Sequence, residues 1–394
     1  MLFLPDFVRE ILNTLEAADF KAWLVGGCLR DMLLGRTVHD WDLATTARGA
    51  DVVSLFPKTV PTGARFGTVT VVTVSGPVEV TTLRSDGVYS DNRRPDTVCF
   101  VDDLREDLKR RDFTVNAMAM TAAGDLSDFF DGQGDLKRRL IRCVGNPKDR
   151  FSEDALRMFR ALRFSAQLGF DIEIGTMNAI GQCADLCAAL SAERVRDETE
   201  KILMSERPGY IGLAVECGLY AGRLEQADLQ PGLSRIADLP SNRQLRWSAL
   251  CAVLLRAGLI ESAQKFLNAM RLDAKTIRYC GAGAAAALVG PLPKEQAGLK
   301  RLLADIGPDA ARCAAAADDV LRGGASINRV EEVISTGECF SLGQLAVSGD
   351  DLIALGVQPG KQLGGILSAL LAHVIANPAD NKRDVLIGFT VKML

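Results

Sequence analysis

Residues 25–42 read VGGCLRDMLLGRTVHDWD. The stretch predicts a strand that runs into paired glycines, Gly26 and Gly27, and then a short helix carrying Arg30 and Asp31. A second strand follows, with Asp40 and Asp42 on either side of Trp41. Alternate side chains of a strand share a face. The two carboxylates therefore project together, and Trp41 projects the other way, into the core. Two carboxylates side by side repel each other unless a cation sits between them. Hard oxygen ligands at that spacing suit Mg²⁺, which commonly takes one or two carboxylates plus substrate phosphates. The glycines let the backbone approach a phosphate closely, at the start of a helix whose free amides favour anions.

Each part alone has an ordinary explanation. An Asp-x-Asp fits a solvated strand edge, and a Gly-Gly pair fits a tight turn. The joint pattern, Gly-Gly-x-x-Arg-Asp, eight residues, Asp-x-Asp, is more specific. It resembles the first motif of the nucleotidyltransferase superfamily that includes polymerase beta. More narrowly, it resembles the class II (bacterial-type) CCA-adding tRNA nucleotidyltransferases and the bacterial poly(A) polymerases. The resemblance implies an α+β fold: a polymerase-beta-like head with a mixed sheet, followed by an all-helical neck, body and tail. On this chain the expected boundaries are a head at 1–144, a base-reading neck at 145–205, a body at 206–275 and a tRNA-binding tail at 276–394.

Composition agrees with such a layout. A chain of 394 residues is long for one hydrophobic core, so two or more domains are expected. Hydrophobic content of 48% and charged content of 24% are those of a soluble globular protein. The net charge of −4 means that a nucleic-acid partner must be met by a local basic patch. The ten cysteines form no C-x-x-C pair, and Cys183 and Cys187 lack a nearby His for zinc. The start, MLFLPDFVRE, does not read as a signal peptide, so reduced thiols in a cytoplasmic setting are expected. No run reaches the roughly 18 apolar residues of a membrane span. His39 and His373 are the only histidines, which excludes a metal phosphohydrolase domain built on several His ligands.

Residues 5–17 predict an amphipathic helix with Phe7, Ile11, Leu12 and Leu15 on one stripe. Residues 48–56 predict another helix. FGTVTVVTV (66–74) and VEVTTL (78–83) predict a hairpin closed by Ser75-Gly76-Pro77. Glu79 is the single acid of the return strand. An isolated acid there fits an exposed face or a site, and the resemblance implies that Glu79 is the third carboxylate beside Asp40 and Asp42. Residues 84–99 predict a moving loop. Arg93-Arg94-Pro95 resembles the family's flexible loop, which implies an enzyme able to add the final adenosine. DDLREDLKRR (102–111) predicts a helix, acidic first and basic last. RRDFTVNAMAM (110–120) resembles a family motif, which makes Arg111 a triphosphate or primer contact and leaves Asp112 and Asn116 structural. A short strand, a DLSDFFDG turn, a basic helix end and a strand at LIRCV (140–144) then close the head, and beyond them no further strand is expected.

FSEDALRMFRALRFSAQL (151–168) predicts one helix capped by Ser152. Leu156, Phe159, Leu162 and Phe164 form its apolar side, and Arg157, Arg160 and Arg163 recur every third residue. By spacing alone, those arginines fit a solvated basic face. EDALR resembles the family's base-recognition motif, which makes Asp154 and Arg157 a protein template. The chemistry is sound: cytosine and adenine both present an amino donor beside a ring-nitrogen acceptor. A carboxylate accepts from the first and a guanidinium donates to the second. Guanine and uracil mismatch both contacts, and each buried unpaired group costs roughly 1–3 kcal/mol. The resemblance further assigns Gly26, Gly27, Arg30, Arg160 and Arg163 to the triphosphate. SAERVRDETE (191–200) matches the next motif, with Glu193 and Arg194 fixing the base-reading helix and Arg196 within reach of a phosphate.

The remainder predicts helices. DDLIALGVQPGKQLGGILSALLAHVIANPADNKRDV (350–385) predicts helix, turn, helix, with Ile366, Leu370 and Val374 buried. Its Gly-x-x-Pro-Gly fits a capping turn, or a backbone contact to RNA phosphates. The implied partners are tRNA (3′ end and acceptor arm), ATP and CTP, with no membrane and no DNA. The implied cofactor is Mg²⁺, held by Asp40 and Asp42. The implied activity is template-independent CCA addition. An A-adding enzyme, a poly(A) polymerase of the same family and a catalytically inactive RNA-binding protein are the alternatives.

Overall fold

The computed structural model describes residues 4–63, 66–87, 98–229 and 232–394. The flexible loop expected around Arg93, Arg94 and Pro95 lies outside the described residues. The chain forms two compact units: Met1–Glu198 with Ala214–Gln226, and Thr199–Leu213 with Ala227–Leu394.

The first unit is organised by a seven-stranded mixed sheet. Its strands are β1 (Ala22–Val25), β2 (Trp41–Thr45), β3 (Thr59–Gly63), β4 (Thr68–Thr73), β5 (Gly76–Thr82), β8 (Met118–Met120) and β9 (Leu126–Asp128), and a separate ribbon pairs β6 (Arg84–Asp86) with β7 (Val98–Phe100). The sheet order is β3-β4-β5-β2-β1-β8-β9. Only β2 and β5 run parallel, and every other neighbouring pair is antiparallel. The Val/Thr alternation expected of a hairpin is realised in β4 and β5, where Val69, Val71, Val78 and Val80 are buried and the Thr68 and Thr81 hydroxyls meet across the pair at 3.0 Å. Helix α1 (Asp6–Ala17) buries Val8, Ile11, Leu12 and Leu15 and sets Phe7 edge-on to Trp41, with ring centroids 6.0 Å apart. Trp41 thus packs away from the carboxylates, as the alternation predicts.

Helix α2 (Gly26–Leu33) follows β1 without a loop, α3 (Gly49–Leu55) follows β2, and α4 (Leu104–Lys109) is capped by Asp103, which accepts from the Arg105 amide. Three details differ from the sequence reading. The described ends of the segment expected to be a loop at 84–99 form β6 and the start of β7. The segment expected to be a turn at 125–132 contains β9, and the strand expected at 140–144 does not join the main sheet. Its first residues, β10 (Leu140–Ile141), pair with β11 (Asp171–Ile172), a strand in a region read as wholly helical. Both are two or three residues long, too short to show a period.

The helix expected over 151–168 is two helices. After α5 (Gly132–Arg138), α6 (Pro147–Glu153) starts early, because Pro147 occupies a first-turn position and Asn146 accepts from the Lys148 amide. Ser152 is therefore inside α6 and caps nothing. At Asp154 the backbone turns extended, with φ −145° and ψ 102°, and α7 (Leu156–Leu168) begins after Ala155. The Asp154 carboxylate accepts from the Leu156 amide at 3.1 Å. A side chain that bonds the next helix's first amides ends one helix and starts another. Helices α8 (Ile174–Cys183) and α9 (Ala192–Leu203) follow.

After α10 (Tyr210–Glu216), the chain continues as helices α11 (Arg243–Arg256), α12 (Ala263–Ala269), α13 (Ala274–Val289), α14 (Gln296–Ile306), α15 (Pro308–Arg322), α16 (Ser326–Ser335), α17 (Gly349–Ala354), α18 (Lys361–Ala376) and α19 (Arg383–Met393). Among the described residues, no helix is long and apolar enough to cross a membrane. The Ala-rich run instead serves close packing. A Cβ at Gly283 would lie 2.5 Å from the Cys313 Cβ and 2.8 Å from the Ala314 amide nitrogen, so α13 and α15 meet backbone to side chain there. Gly283→Ala is expected to destabilise this unit by about 1–3 kcal/mol through overpacking. Urea unfolding followed by circular dichroism measures it, and an unchanged midpoint would refute the close approach. Ile366, Leu370 and Val374 are buried with Leu352, Val357 and Leu386, as their spacing predicts.

Candidate active site

Gly26 adopts φ +76°, which glycine accepts readily. It is also crowded: a Cβ there would lie 3.0 Å from Arg111 Nη1 and 3.5 Å from Asp42 Oδ2. The β1–α2 junction, the acid strand and Arg111 therefore converge on one point. Cys28 helps to hold them. Its buried thiol donates to the Val25 carbonyl at 3.0 Å, and its sulfur accepts from the Asp42 amide at 3.4 Å. Burial pushes that thiol up to about 12, so it is inert and structural.

Asp42 and Glu79 are paired in register across the parallel β2–β5 ladder, so both carboxylates leave the same face. Asp40 precedes β2 and is exposed, as is Glu79. Burial, followed by the charges of Glu79 and Asp40, raises the Asp42 carboxyl above its ordinary range, against the opposing pull of Arg111. A cation fits such a set, because it relieves repulsion that the protein leaves in place. Among the described residues, no three acidic, His or Cys side chains are gathered closely enough to hold an ion by themselves.

Gly26, Asp40, Asp42 and Arg111 line a cavity of about 770 Å³, together with Asp154, Arg157, Arg160, Arg163 and Arg194, while Glu79 lies outside that lining. The volume is that of a small-molecule site, roughly 300–1,000 Å³. The residues nominated from sequence are held in distinct ways. Arg30 donates to both oxygens of Asp31, at 2.9 and 2.8 Å, and to Asn116 Oδ1 at 2.7 Å. Asn116 donates in turn to Asp112, and Asp112 accepts from Arg160 at 2.8 and 2.5 Å. Burial raises the Asp112 carboxyl, but Arg160, the Asn116 hydrogen bond and Arg157 together more than offset it and hold that carboxyl well below the usual range. Arg163 donates to Glu198 at 2.6 Å. The guanidiniums of Arg30, Arg160 and Arg163 all lie over the Phe164 ring, at 5.1, 5.3 and 4.0 Å from its centroid. Asp112, Asn116 and Phe164 are thus the scaffold of an arginine cluster whose charges are individually paired.

The base-reading pair is arranged differently from the one-helix expectation. Asp154 sits in the break between α6 and α7 and accepts from Arg194 at 3.1 and 2.9 Å. Arg157, in the first turn of α7, donates to Glu153 at 2.5 Å and to the carbonyls of Arg150 and Arg110 at 3.0 and 3.1 Å. Both line the cavity, although no helical face joins them. Arg196 pairs with Asp197 outside the cavity lining. Arg194 and Arg110 join the lining without having been nominated as ligands.

Comparison with known proteins fits this geometry. A model described as the poly A polymerase head domain matches residues 22–142, a polymerase A RNA-binding model matches 169–229, and a tRNA nucleotidyltransferase domain 2 model matches 240–390. The CCA-adding enzyme of Lactiplantibacillus plantarum is 37% identical, with the match covering 97% of this chain and 94% of the relative. The chain belongs to the CCA-adding tRNA nucleotidyltransferase family. The CCA-adding enzyme of Geobacillus kaustophilus is 38% identical over 96% of this chain and 95% of its own. The crystal structure of the Bacillus stearothermophilus CCA-adding enzyme, in complex with CTP, superposes with a TM-score of 0.83 at 33% identity, covering 99% and 98% of the two chains. The Thermotoga maritima CCA-adding enzyme, complexed with tRNA, shares the fold at a TM-score of 0.73 and 20% identity. In this member of the CCA-adding family, Asp154 and Arg157 fall between the matched head and the matched RNA-binding segment.

Proposed function

We propose that this chain adds CCA to the 3′ end of tRNA from CTP and ATP, without a nucleic-acid template, and releases pyrophosphate. The observation that supports it is one cavity whose lining carries Asp40 and Asp42 at one place and the Asp154 and Arg157 pair at another, with Glu79 in register beside Asp42 on the neighbouring strand. Asp40 and Asp42 would hold Mg²⁺, with Glu79 beside them. When bound, Mg²⁺ makes the primer 3′-hydroxyl more acidic and stabilises charge on the transferring phosphoryl group. The crowded β1–α2 turn and Arg111 bind the triphosphate and orient it in line with the primer. Arg160 and Arg163, packed against Phe164, and Arg30 beside them supply positive potential at the cavity wall. Asp154 accepts from the amino group of the incoming cytosine or adenine, and Arg157 donates to its ring nitrogen.

We read 1–144 as the catalytic head, 145–205 as the base-reading neck, 206–275 as the body and 276–394 as the tRNA-binding tail, working in the cytoplasm. The test uses two tRNA transcripts, one lacking CCA and one ending in CC. Each is offered CTP, ATP, both, or GTP and UTP, with Mg²⁺. Growth by two cytidines and one adenosine, stopping there, is expected. Growth by A alone would make it an A-adding enzyme, and a long A ladder would make it a poly(A) polymerase. No growth would leave only RNA binding.

A further inference from the structure

The cavity arginines differ in how firmly they are held. Arg30, Arg160 and Arg163 each have a carboxylate at 2.9 Å or less. Arg111 has a single long contact, Nη2 to Asp107 Oδ2 at 3.4 Å, and its buried Nε has no acceptor among the described residues. Yet Arg111 is the one that stands against Gly26 and Asp42. Its hydrogen-bonding capacity is spare where a triphosphate would need it, so its position must be set from behind.

Asp107, one turn earlier on α4, is the group behind it. Its side chain is 1% exposed. Oδ1 accepts from Arg110 Nε and Nη2 at 3.0 and 2.8 Å and from the Arg84 backbone N–H at 3.2 Å, while Oδ2 faces Arg111. Burial raises this carboxyl, and the charges of Arg110 and Arg111 more than reverse that, so it stays ionised. Arg84 opens β6. Its side chain donates to the Phe66 carbonyl at 2.9 Å and lies over the Phe66 ring. On the other strand of the ribbon, Phe100 covers Gly67, where a Cβ would come within 2.6 Å of its ring. The ribbon is therefore clamped at both strands to the 66–67 turn, and one buried carboxylate links it to Arg111.

We propose that Asp107 is a positioning residue for nucleotide binding: it fixes Arg111 beside Gly26 and Asp42, and ties that guanidinium to the β6–β7 ribbon through the Arg84 amide. This rests on the reading of the cavity as a triphosphate site. A carboxylate with only a structural role would change melting temperature and leave substrate affinity alone. The full chain is compared with Asp107→Asn, Arg111→Lys and the double variant, by initial rates of C and A addition to tRNA at varied CTP or ATP. Asp107→Asn is expected to raise KM for both nucleotides about tenfold, with kcat within about threefold. The double variant is expected to be no worse than the worse single one, because both act through one guanidinium. An unchanged KM, or fold-changes that multiply, would overturn the proposal. If Asp107→Asn melts below the assay temperature, all the chains are compared at a temperature below its melt, where the raised KM is still expected and an unchanged KM still overturns the proposal. A wild-type chain that adds nothing would overturn the triphosphate reading along with the proposal. An unchanged KM against an active wild type overturns the proposal alone.

Discussion

Asp42→Asn is expected to abolish nucleotide addition, by about 10³-fold or more, while the protein melts at or above the wild-type temperature. The two effects have one cause. Asp42 is half-buried, and its desolvation together with the charges of Glu79 and Asp40 raises its carboxyl in the folded state. A raised carboxyl costs stability that begins as pH climbs through its unfolded value and is complete above its folded one. The isosteric amide removes the charge and the cost together. It also removes one of the two carboxylates offered to the cation, and a metal that stabilises a transferring phosphoryl group contributes several kcal/mol, about tenfold in rate for each 1.4. Rates of labelled CMP incorporation and thermal melts without divalent cation measure the two halves. Retained activity would refute the assignment of Asp42. Lost activity with a lowered melting temperature would make Asp42 a structural residue.

The head was legible because its signals are local. The glycine pair, the Asp-x-Asp strand and the Val/Thr hairpin each lie within a few residues, and the backbone conformations they need follow from those residues alone. Trp41 turned away from the acids because strand alternation leaves it no other choice. What sequence could not show depends on partners far along the chain. Arg30 reads as a free phosphate ligand until Asn116, 86 residues on, takes one of its donors. The break at Asp154 is invisible to helical periodicity, since the apolar spacing of 151–168 runs straight through it. It depends on a capping amide two residues on and on Arg194, forty residues on. Asp107 looks like one more acid in a helix's first turn. Its role appears only when β6 and Arg111 close around it.

The same break governs what the cavity accepts. Asp154→Ala is expected to lower the preference for CTP over UTP by about 5–150-fold in kcat/KM, the worth of one buried unpaired contact of roughly 1–3 kcal/mol. The Asp154 carboxylate is aimed by Arg194 from one side and by the Leu156 amide from another, and on the proposed reading it would accept from an amino group and repel a carbonyl oxygen. Truncation removes the acceptor and frees the Arg194 guanidinium, which is a donor only. A donor beside the vacated position suits the uracil carbonyl, so the loss of selectivity should fall in the upper part of that range. Arg157 still mismatches the uracil ring N–H, which is why discrimination weakens without inverting. The tRNA Kd should stay within about twofold, because neither group is expected to touch the primer. Single-turnover addition of C and U to a tRNA lacking CCA, beside tRNA binding by filter retention, separates the two. A weakened tRNA Kd with an unchanged C-to-U ratio would make Asp154 a primer contact, and Asp154→Ala with Arg194→Ala would then add nothing. If Arg194 does donate to the uracil carbonyl, that double variant takes U more slowly than Asp154→Ala alone.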